Sequence, residues 1–280
     1  MSVPARRKQR ILIYRLGSLG DTIVSLPALR LVAQSFPSAE RWMLTNFSIS
    51  SKAAPMAEVL DRTDLVHGFL EYPVGLRRWQ ELRELRAKIK LLAPDALVYL
   101  AAPRGWVSVL RDALFFLLFG IQCLIGLPFF GSLRGSRKSG AVPYEYEGAR
   151  LLRAIGRLGE FSLDEPNAFD LNLSERELAT ATIALSPLNS AVPSVAVSIG
   201  TKGHVNDWGD TNWYSLLQAL GEKLPEWQLV LLGADAERMR SEKLARAWNG
   251  KYRNLCGNLR VRESAAVVSR AQFFIGHDSG

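Results

Sequence analysis

ILIYRLGSLGDTIVSLPALR, residues 11–30, decides how the fold is read. Ile11 to Leu16 is an apolar run broken only by Arg15, the composition of a strand covered on both faces. It runs into Gly17-Ser18-Leu19-Gly20, and a helical pattern begins at Asp21 and continues from Thr22 to Phe36. Glycines let the backbone turn sharply and let a ligand approach, and a helix start presents free N–H groups to anions. The loop is not GxGxxG and lacks the lysine of a P-loop, so it does not indicate a dinucleotide or nucleoside triphosphate site. Locally, Asp21 reads as a helix N-cap. Its place beyond a strand of an open α/β sheet also suits a general base, and the two roles are compatible.

Outward from this stretch the same alternation continues. Strands are expected at RWMLTN from Arg41, LVHGFL from Leu65, DALVYLA from Asp95 and QCLIGL from Gln122. Helices are expected at Ser51 to Leu60, Leu76 to Leu92 and Trp106 to Phe119. A polar stretch from Leu163 and the loop-like SPLNSAVPS from Ser186 read as a linker. The alternation then restarts with SVAVSIG from Ser194, a helix near Asn212 to Lys223, and WQLVLLG from Trp227. A helix from Asp235 to Trp248, a strand near Tyr252, a helix near Arg262 to Arg270 and QFFIGHD from Gln272 complete it. Strands alternating with helices predict an α/β fold of two Rossmann-like domains with parallel sheets, spanning 1–170 and 171–280. The second domain ends directly after its last strand and reads as truncated, because a bare sheet edge exposes unpaired backbone.

Three further segments follow expected strands. SIGTKGHVNDWGD, from Ser198, offers Gly200, Thr201, Lys202 and Gly203, which suit a diphosphate cradle as well as a solvated turn. LLGADAERMRSE, from Leu231, offers Asp235 and Glu237 for ribose hydroxyls, or for capping and the helix dipole. FFIGHDSG, from Phe273, offers Asp278 and Ser279 for sugar hydroxyls, or a plain turn.

Composition narrows the function classes. With 48% hydrophobic and 22% charged residues the chain is an ordinary folded protein. The net charge of +8 favours anionic partners without choosing among phosphates, nucleic acid and acidic membranes. Cys123 and Cys256 form no CxxC pair, and His67, His204 and His277 are scattered, so neither a disulfide framework nor a metal site is indicated. No DxD motif appears. The basic start MSVPARRKQR is not followed by an uninterrupted apolar core, so no export signal is read and a cytoplasmic location is expected. Ala113 to Phe130 approaches a bilayer-spanning length, but Gly120, Gln122, Gly126 and Pro128 divide it into a buried helix and a short buried strand.

Taken in order, RLGSLGDTIVSLPALR, FPSAERWMLTN, DALVYLAAPRG, GIQCLIGLPF, WQLVLLGADAE, NLCGNL and FIGHDSG resemble the ADP-heptose:lipopolysaccharide heptosyltransferases of glycosyltransferase family 9 over nearly the whole chain. The resemblance implies a GT-B architecture with an acceptor domain first and a nucleotide-sugar domain second. It implies inverting, metal-independent transfer of a heptose from ADP-heptose to a lipopolysaccharide precursor, with no cofactor and no nucleic acid. Asp21 matches the catalytic aspartate, on a loop with Gly17, Ser18 and Gly20. Thr201 and Lys202 match the phosphate loop, Glu237 a ribose-binding carboxylate, and Asp278, Ser279 and Gly280 the donor-sugar motif. Asn206 stands where the family usually has a lysine, and the Pro and His that follow the terminal motif are not present. Those departures leave a second reading, a catalytically impaired relative that binds nucleotide, membrane or nucleic acid. Peripheral contact with an anionic membrane face is also implied.

Overall fold

The computed structural model describes residues 7–17, 19–46, 56–72, 78–102, 105–128, 145–201 and 206–277. The chain divides into two compact units, Met1–Leu171 and Asn172–Gly280. The first contains β1 (Arg10–Tyr14), α1 (Leu19–Val24), α2 (Leu26–Ser35), β2 (Glu40–Asn46), α3 (Met56–Leu60) and β3 (Gly68–Tyr72). It continues with α4 (Trp79–Leu92), β4 (Ala96–Tyr99), α5 (Trp106–Leu118), β5 (Leu124–Ile125) and α6 (Glu147–Ala154). Its strands form one sheet in the order β3-β2-β1-β4-β5, with every neighbour parallel.

Successive side chains of a strand point to opposite faces, which splits the core in two. Ile11 and Ile13 pack on one face with Leu29 and Val32 of α2 and Leu151 of α6. Leu12 and Tyr14 pack on the other with Leu85 and Ile89 of α4 and Phe116 of α5. A sheet buried on both faces needs the continuous apolar strands seen in ILIY and ALVY.

The second unit runs α7 (Glu175–Leu185), β6 (Ser194–Ser198), α8 (Asp210–Lys223), β7 (Gln228–Leu231), a 3-10 turn (Asp235–Glu237) and α9 (Arg238–Ala245). It then adds β8 (Tyr252–Asn254), α10 (Val261–Val268) and β9 (Phe273–Gly276). Its sheet is also parallel, in the order β8-β7-β6-β9. Val195 and Val197 face Trp213, Leu217 and Leu244, while Ala196 and Val230 face Ala181 and Ala266. In each unit the chain order is therefore third, second, first, fourth, the Rossmann order, which reverses between the first and fourth strands.

Four expectations are corrected. The helix expected from Thr22 to Phe36 is two helices broken at Ser25, because Pro27 has no N–H to continue the ladder and Ser25 Oγ donates to the Thr22 carbonyl at 2.7 Å. Asp21 is accordingly not the N-cap: α1 begins at Leu19. The helix expected near Trp106 is present, but one face of it is exposed rather than buried. Between the two stretches read as linker lies an unforeseen helix, α7, held by a capping box in which Glu177 N–H donates to Ser174 Oγ and Ser174 N–H to the Glu177 carboxylate at 2.7 Å.

The same Glu177 fastens α7 to α10. Arg262, almost fully buried, donates to its two carboxylate oxygens at 2.6 and 3.1 Å and to the Asn172 carbonyl. Arg262, with the Ser174 bonds assisting against burial, holds the Glu177 carboxyl down at about 2. A carboxyl depressed in the folded state stabilises it fully above the ordinary carboxylate range, and that stabilisation is lost as pH falls toward 2. Glu177→Gln is therefore expected to destabilise the second unit by about 2–3 kcal/mol at pH 7. Urea denaturation from pH 7 to pH 3 checks this: the difference between the two proteins should shrink at the acid end, and a pH-independent difference would contradict the assignment.

Candidate active site

Open α/β sheets bind ligands beyond the carboxyl ends of the strands where the order reverses, since adjacent loops there leave in opposite directions and open a crevice. In the first unit that point lies between β1 and β4. Arg15, the residue after β1, is fully buried there. Its Nη1 donates to the Leu100 carbonyl beyond β4 at 2.7 Å, and its Nη2 donates to the Asp21 carbonyl at 3.0 Å. The Asp21 carboxylate lies 3.6 Å from the same guanidinium and remains 45% exposed. Glu147 of α6 approaches Arg15 at 3.5 Å and grips buried Arg150 through both oxygens at 2.5 and 2.7 Å. Burial pushes the Arg15 guanidinium below its usual value, while Glu147 and then Asp21 push it back up.

Gly17 is required by space and by backbone. Its φ is +141°, and a Cβ there would lie 2.5 Å from the Asp21 side chain. Asp21 is thus seated against bare backbone. Gly20 lies in the first turn of α1. Ser18 lies outside the described residues.

In the second unit the order reverses between β6 and β9. The Glu237 carboxylate rests on the ends of β6 and β7, since a Cβ on either Gly200 or Gly233 would lie 2.2 Å from one of its oxygens. The Ala234 N–H donates to it at 2.8 Å. Thr201 is half-buried and follows Gly200 directly, so the structure brings Gly200, Thr201 and Glu237 to one place. Asp235 is not part of it: its carboxylate is 81% exposed and pairs with Arg238 at 3.0 Å. Asn206 is exposed in the turn before α8. Lys202, Gly203, Asp278, Ser279 and Gly280 lie outside the described residues.

Two residues at this end were not legible as site residues. Arg240 of α9 clamps Asp207 through two bonds of 2.8 Å and Asp210 through one of 2.6 Å. Those bonds hold the Asp207 carboxyl at about 2, helped by the Gly209 N–H, and raise the arginine above its ordinary value. His277 bonds to both Trp208 and Gly200. Neither pair has a sequence signal, because each joins segments that only the fold brings together.

Residues 149–280 match the family model described as glycosyltransferase family 9 (heptosyltransferase). Over that stretch the chain is similar to the family 9 glycosyltransferases. The fold of the whole chain agrees. A family 9 glycosyltransferase from Veillonella parvula DSM 2008 superposes with a TM-score of 0.69 at 14% identity, over 97% of this chain and 77% of that one. E. coli ADP-heptose lps heptosyltransferase II gives 0.61 at 19% identity, over 97% and 80%. E. coli heptosyltransferase WaaC, solved with ADP-2-deoxy-2-fluoro heptose, gives 0.60 at 17% identity, over 97% and 83%. At these identities the likeness is one of fold: α/β with parallel sheets, matching GT-B heptosyltransferases. No curated protein sequence matches the chain.

The buried cluster carries a prediction for this glycosyltransferase independent of its substrates. Glu147→Gln leaves Arg15 and Arg150 facing each other without their shared anion. Removing one partner of a buried ion pair typically costs about 3–5 kcal/mol, and the partial exposure of Glu147 reduces this to about 2–3 kcal/mol. Thermal and urea unfolding of the variant should report that loss, and an unchanged midpoint would refute it.

Proposed function

We propose that this glycosyltransferase is inverting and metal-independent, moving heptose or a related sugar from an ADP-sugar to a lipopolysaccharide core or related glycan acceptor. The observation that carries the reading is one carboxylate beyond the carboxyl ends of the strands of each sheet, Asp21 in the first unit and Glu237 in the second, each seated against a glycine that leaves it room. The second unit takes the donor. Glu237 accepts from ribose hydroxyls, Thr201 and Lys202 contact the diphosphate, and Asp278 and Ser279 contact the sugar. WaaC, of the same fold, was solved with an ADP-linked fluoro-heptose.

The first unit takes the acceptor. Asp21 removes the proton of the acceptor hydroxyl, the oxygen attacks the anomeric carbon, and the bond from that carbon to the diphosphate breaks on the opposite face. The transition state is oxocarbenium-like, so a base on one side and a stabilised leaving diphosphate on the other suffice. The sequence has no DxD motif to hold a metal for the diphosphate, and Lys202 serves instead.

A positioned base contributes about 100- to 10,000-fold. Asp21→Asn keeps the size and the polarity but not the basicity, so kcat is expected to fall by about that factor while ADP binding, read by calorimetry, stays unchanged. Near-normal turnover by the variant would sink the assignment. ADP binding without turnover in the unaltered protein would point to the impaired relative, which Asn206 favours.

Peripheral contact with the cytoplasmic membrane face belongs to the same reading, because the proposed acceptor is a lipid-borne glycan. No described helix is long and apolar enough to cross a membrane. Instead α5 exposes Trp106, Leu110, Leu114, Leu117 and Leu118. At 3.6 residues per turn these fall within about a third of its circumference. On the same face of the sheet α4 exposes Arg83, Arg86, Lys88 and Lys90, and Arg86 lies over the Phe119 ring at 5.8 Å. An apolar stripe beside cationic side chains suits the surface of an anionic bilayer. The protein should co-sediment with phosphatidylglycerol-containing vesicles, and the double variant Leu114→Asp with Leu117→Asp should lose at least about tenfold in partitioning, since a charge there costs about 2.5–3.5 kcal/mol at depth and less at the surface. Equal sedimentation of the two proteins would exclude α5 as the contact.

A further inference from the structure

We propose that Glu147 of α6 is a positioning residue for Asp21: by giving the buried Arg15 guanidinium a counter-charge, it keeps the Asp21 carboxylate from collapsing onto that guanidinium, where it could not serve an acceptor hydroxyl. The proposal rests on the reading of Asp21 as the general base.

The arrangement starts from two buried positive charges. The Arg15 and Arg150 side chains are only 1% and 2% exposed. They donate to the successive carbonyls of Leu100 and Ala101 beyond β4, at 2.7 and 3.2 Å. A buried charge needs a partner. Glu147 is shared between the two: its Oε1 lies 3.5 Å from Arg15 Nη1 and accepts from Arg150 Nη2 at 2.7 Å, while its Oε2 accepts from Arg150 Nε at 2.5 Å. Glu145, two residues earlier, is committed to Arg153 through bonds of 2.9 and 2.6 Å.

Asp21 is the second anion at Arg15, and it stands off. Its Oδ1 lies 3.6 Å from Arg15 Nη2, beyond the length of a charge-assisted hydrogen bond, about 2.7–2.9 Å. Nη2 donates instead to the main-chain carbonyl of Asp21 at 3.0 Å, and Nη1 to Leu100. The carboxylate thereby keeps 45% of its surface exposed, with Oδ2 seated over Gly17.

That stand-off holds because Glu147 already offsets the guanidinium charge. With glutamine at 147, Arg15 and Arg150 remain buried and Asp21 becomes the anion left to Arg15. Turning the carboxylate toward Nη2 converts the approach into a charge-assisted bond and removes its exposure. A carboxylate bonded in that way is both withdrawn from solvent and a poorer proton acceptor, since hydrogen bonds to the charged form favour it.

The test is steady-state kinetics of the full chain, with ADP-heptose as donor and a heptose-free lipopolysaccharide core as acceptor, at a temperature where circular dichroism shows every variant folded. Glu147→Gln should lose at least about tenfold in kcat, a part of the roughly 100- to 10,000-fold that a positioned base contributes. The donor KM and the ADP dissociation constant should stay within about twofold, since the interaction lost is made in the transition state. Glu147→Asp keeps the charge on a shorter stem and should turn over faster than Glu147→Gln; where the glutamine variant does not fold, Glu147→Asp carries the test with a loss of at least about threefold. In an Asp21→Asn background the same substitutions should change kcat by less than about twofold, because a residue that acts through Asp21 has no base left to position. Equal losses in both backgrounds show a general structural role and overturn the proposal, as does unimpaired turnover by Glu147→Gln. A crystal structure of Glu147→Gln gives a substrate-free readout: Asp21 should lie about 2.7–2.9 Å from Arg15, and a separation still at 3.6 Å overturns the proposal. Near-normal turnover by Asp21→Asn, or none by the unaltered protein, overturns the reading of Asp21 as base and this inference with it. A loss in Asp21→Asn without one in Glu147→Gln overturns only the part given to Glu147, so the two failures are distinguishable.

Discussion

The buried guanidinium of Arg15 is the contact on which the first unit's site depends. Where the strand order of a parallel sheet reverses, the chains leaving β1 and β4 diverge, and no backbone ladder continues between them. Something must cross that gap if the loop beyond β1 is to have a fixed shape. Arg15 crosses it, binding the Leu100 carbonyl on one side and the Asp21 carbonyl on the other. A charge with no exposed surface needs a counter-charge, and Glu147 brings one from a helix 132 residues away. The position of Asp21 is thus fixed by a network that includes α6.

The second unit meets the same topological problem with different chemistry. There His277 crosses from the end of β9 to the Gly200 carbonyl. An arginine keeps its charge across the physiological pH range, and so the first crossing does not respond to pH. Two sheets of one strand order therefore make the same crossing with different side chains, a guanidinium in one and an imidazole in the other. Both place a carboxylate beside a glycine: Asp21 fills the space a Cβ on Gly17 would occupy, and Glu237 the space beside Gly200 and Gly233.

Much of the fold was readable because a parallel sheet is written in continuous apolar strands, and ILIY, ALVY, SVAVS and QLVL are such runs. The glycine-bearing turns after β1 and β6 were readable for the same local reason. What could not be read depends on distance or on competition between local signals. Pro27 sits in an otherwise helical pattern and divides it, so Asp21 lies inside a first turn instead of capping one long helix. Ser174 and Glu177 have the spacing of a capping box, but the surrounding polar residues gave the stretch the look of a linker. The exposed stripe of α5 has the composition of a buried helix, and only the packing of Phe116 and Val109 shows which face the sheet covers.

Arg15 and His277 illustrate the hardest case. Arg15 interrupts an apolar strand, which in a sequence looks like a defect in the strand. In the fold it is the residue that lets the strand end at a usable site, because its long side chain reaches from β1 to β4 while its stem stays in the core. His277 looks like one of three unrelated histidines, and its role depends on the direction of two backbone groups, Trp208 N–H and Gly200 C=O, that no sequence specifies. Both side chains are polar residues just beyond the end of a strand in a parallel sheet. In a Rossmann-type unit that position borders the ligand crevice, so a polar residue there should be examined first as a bridge across the reversal and only then as a flaw in the core.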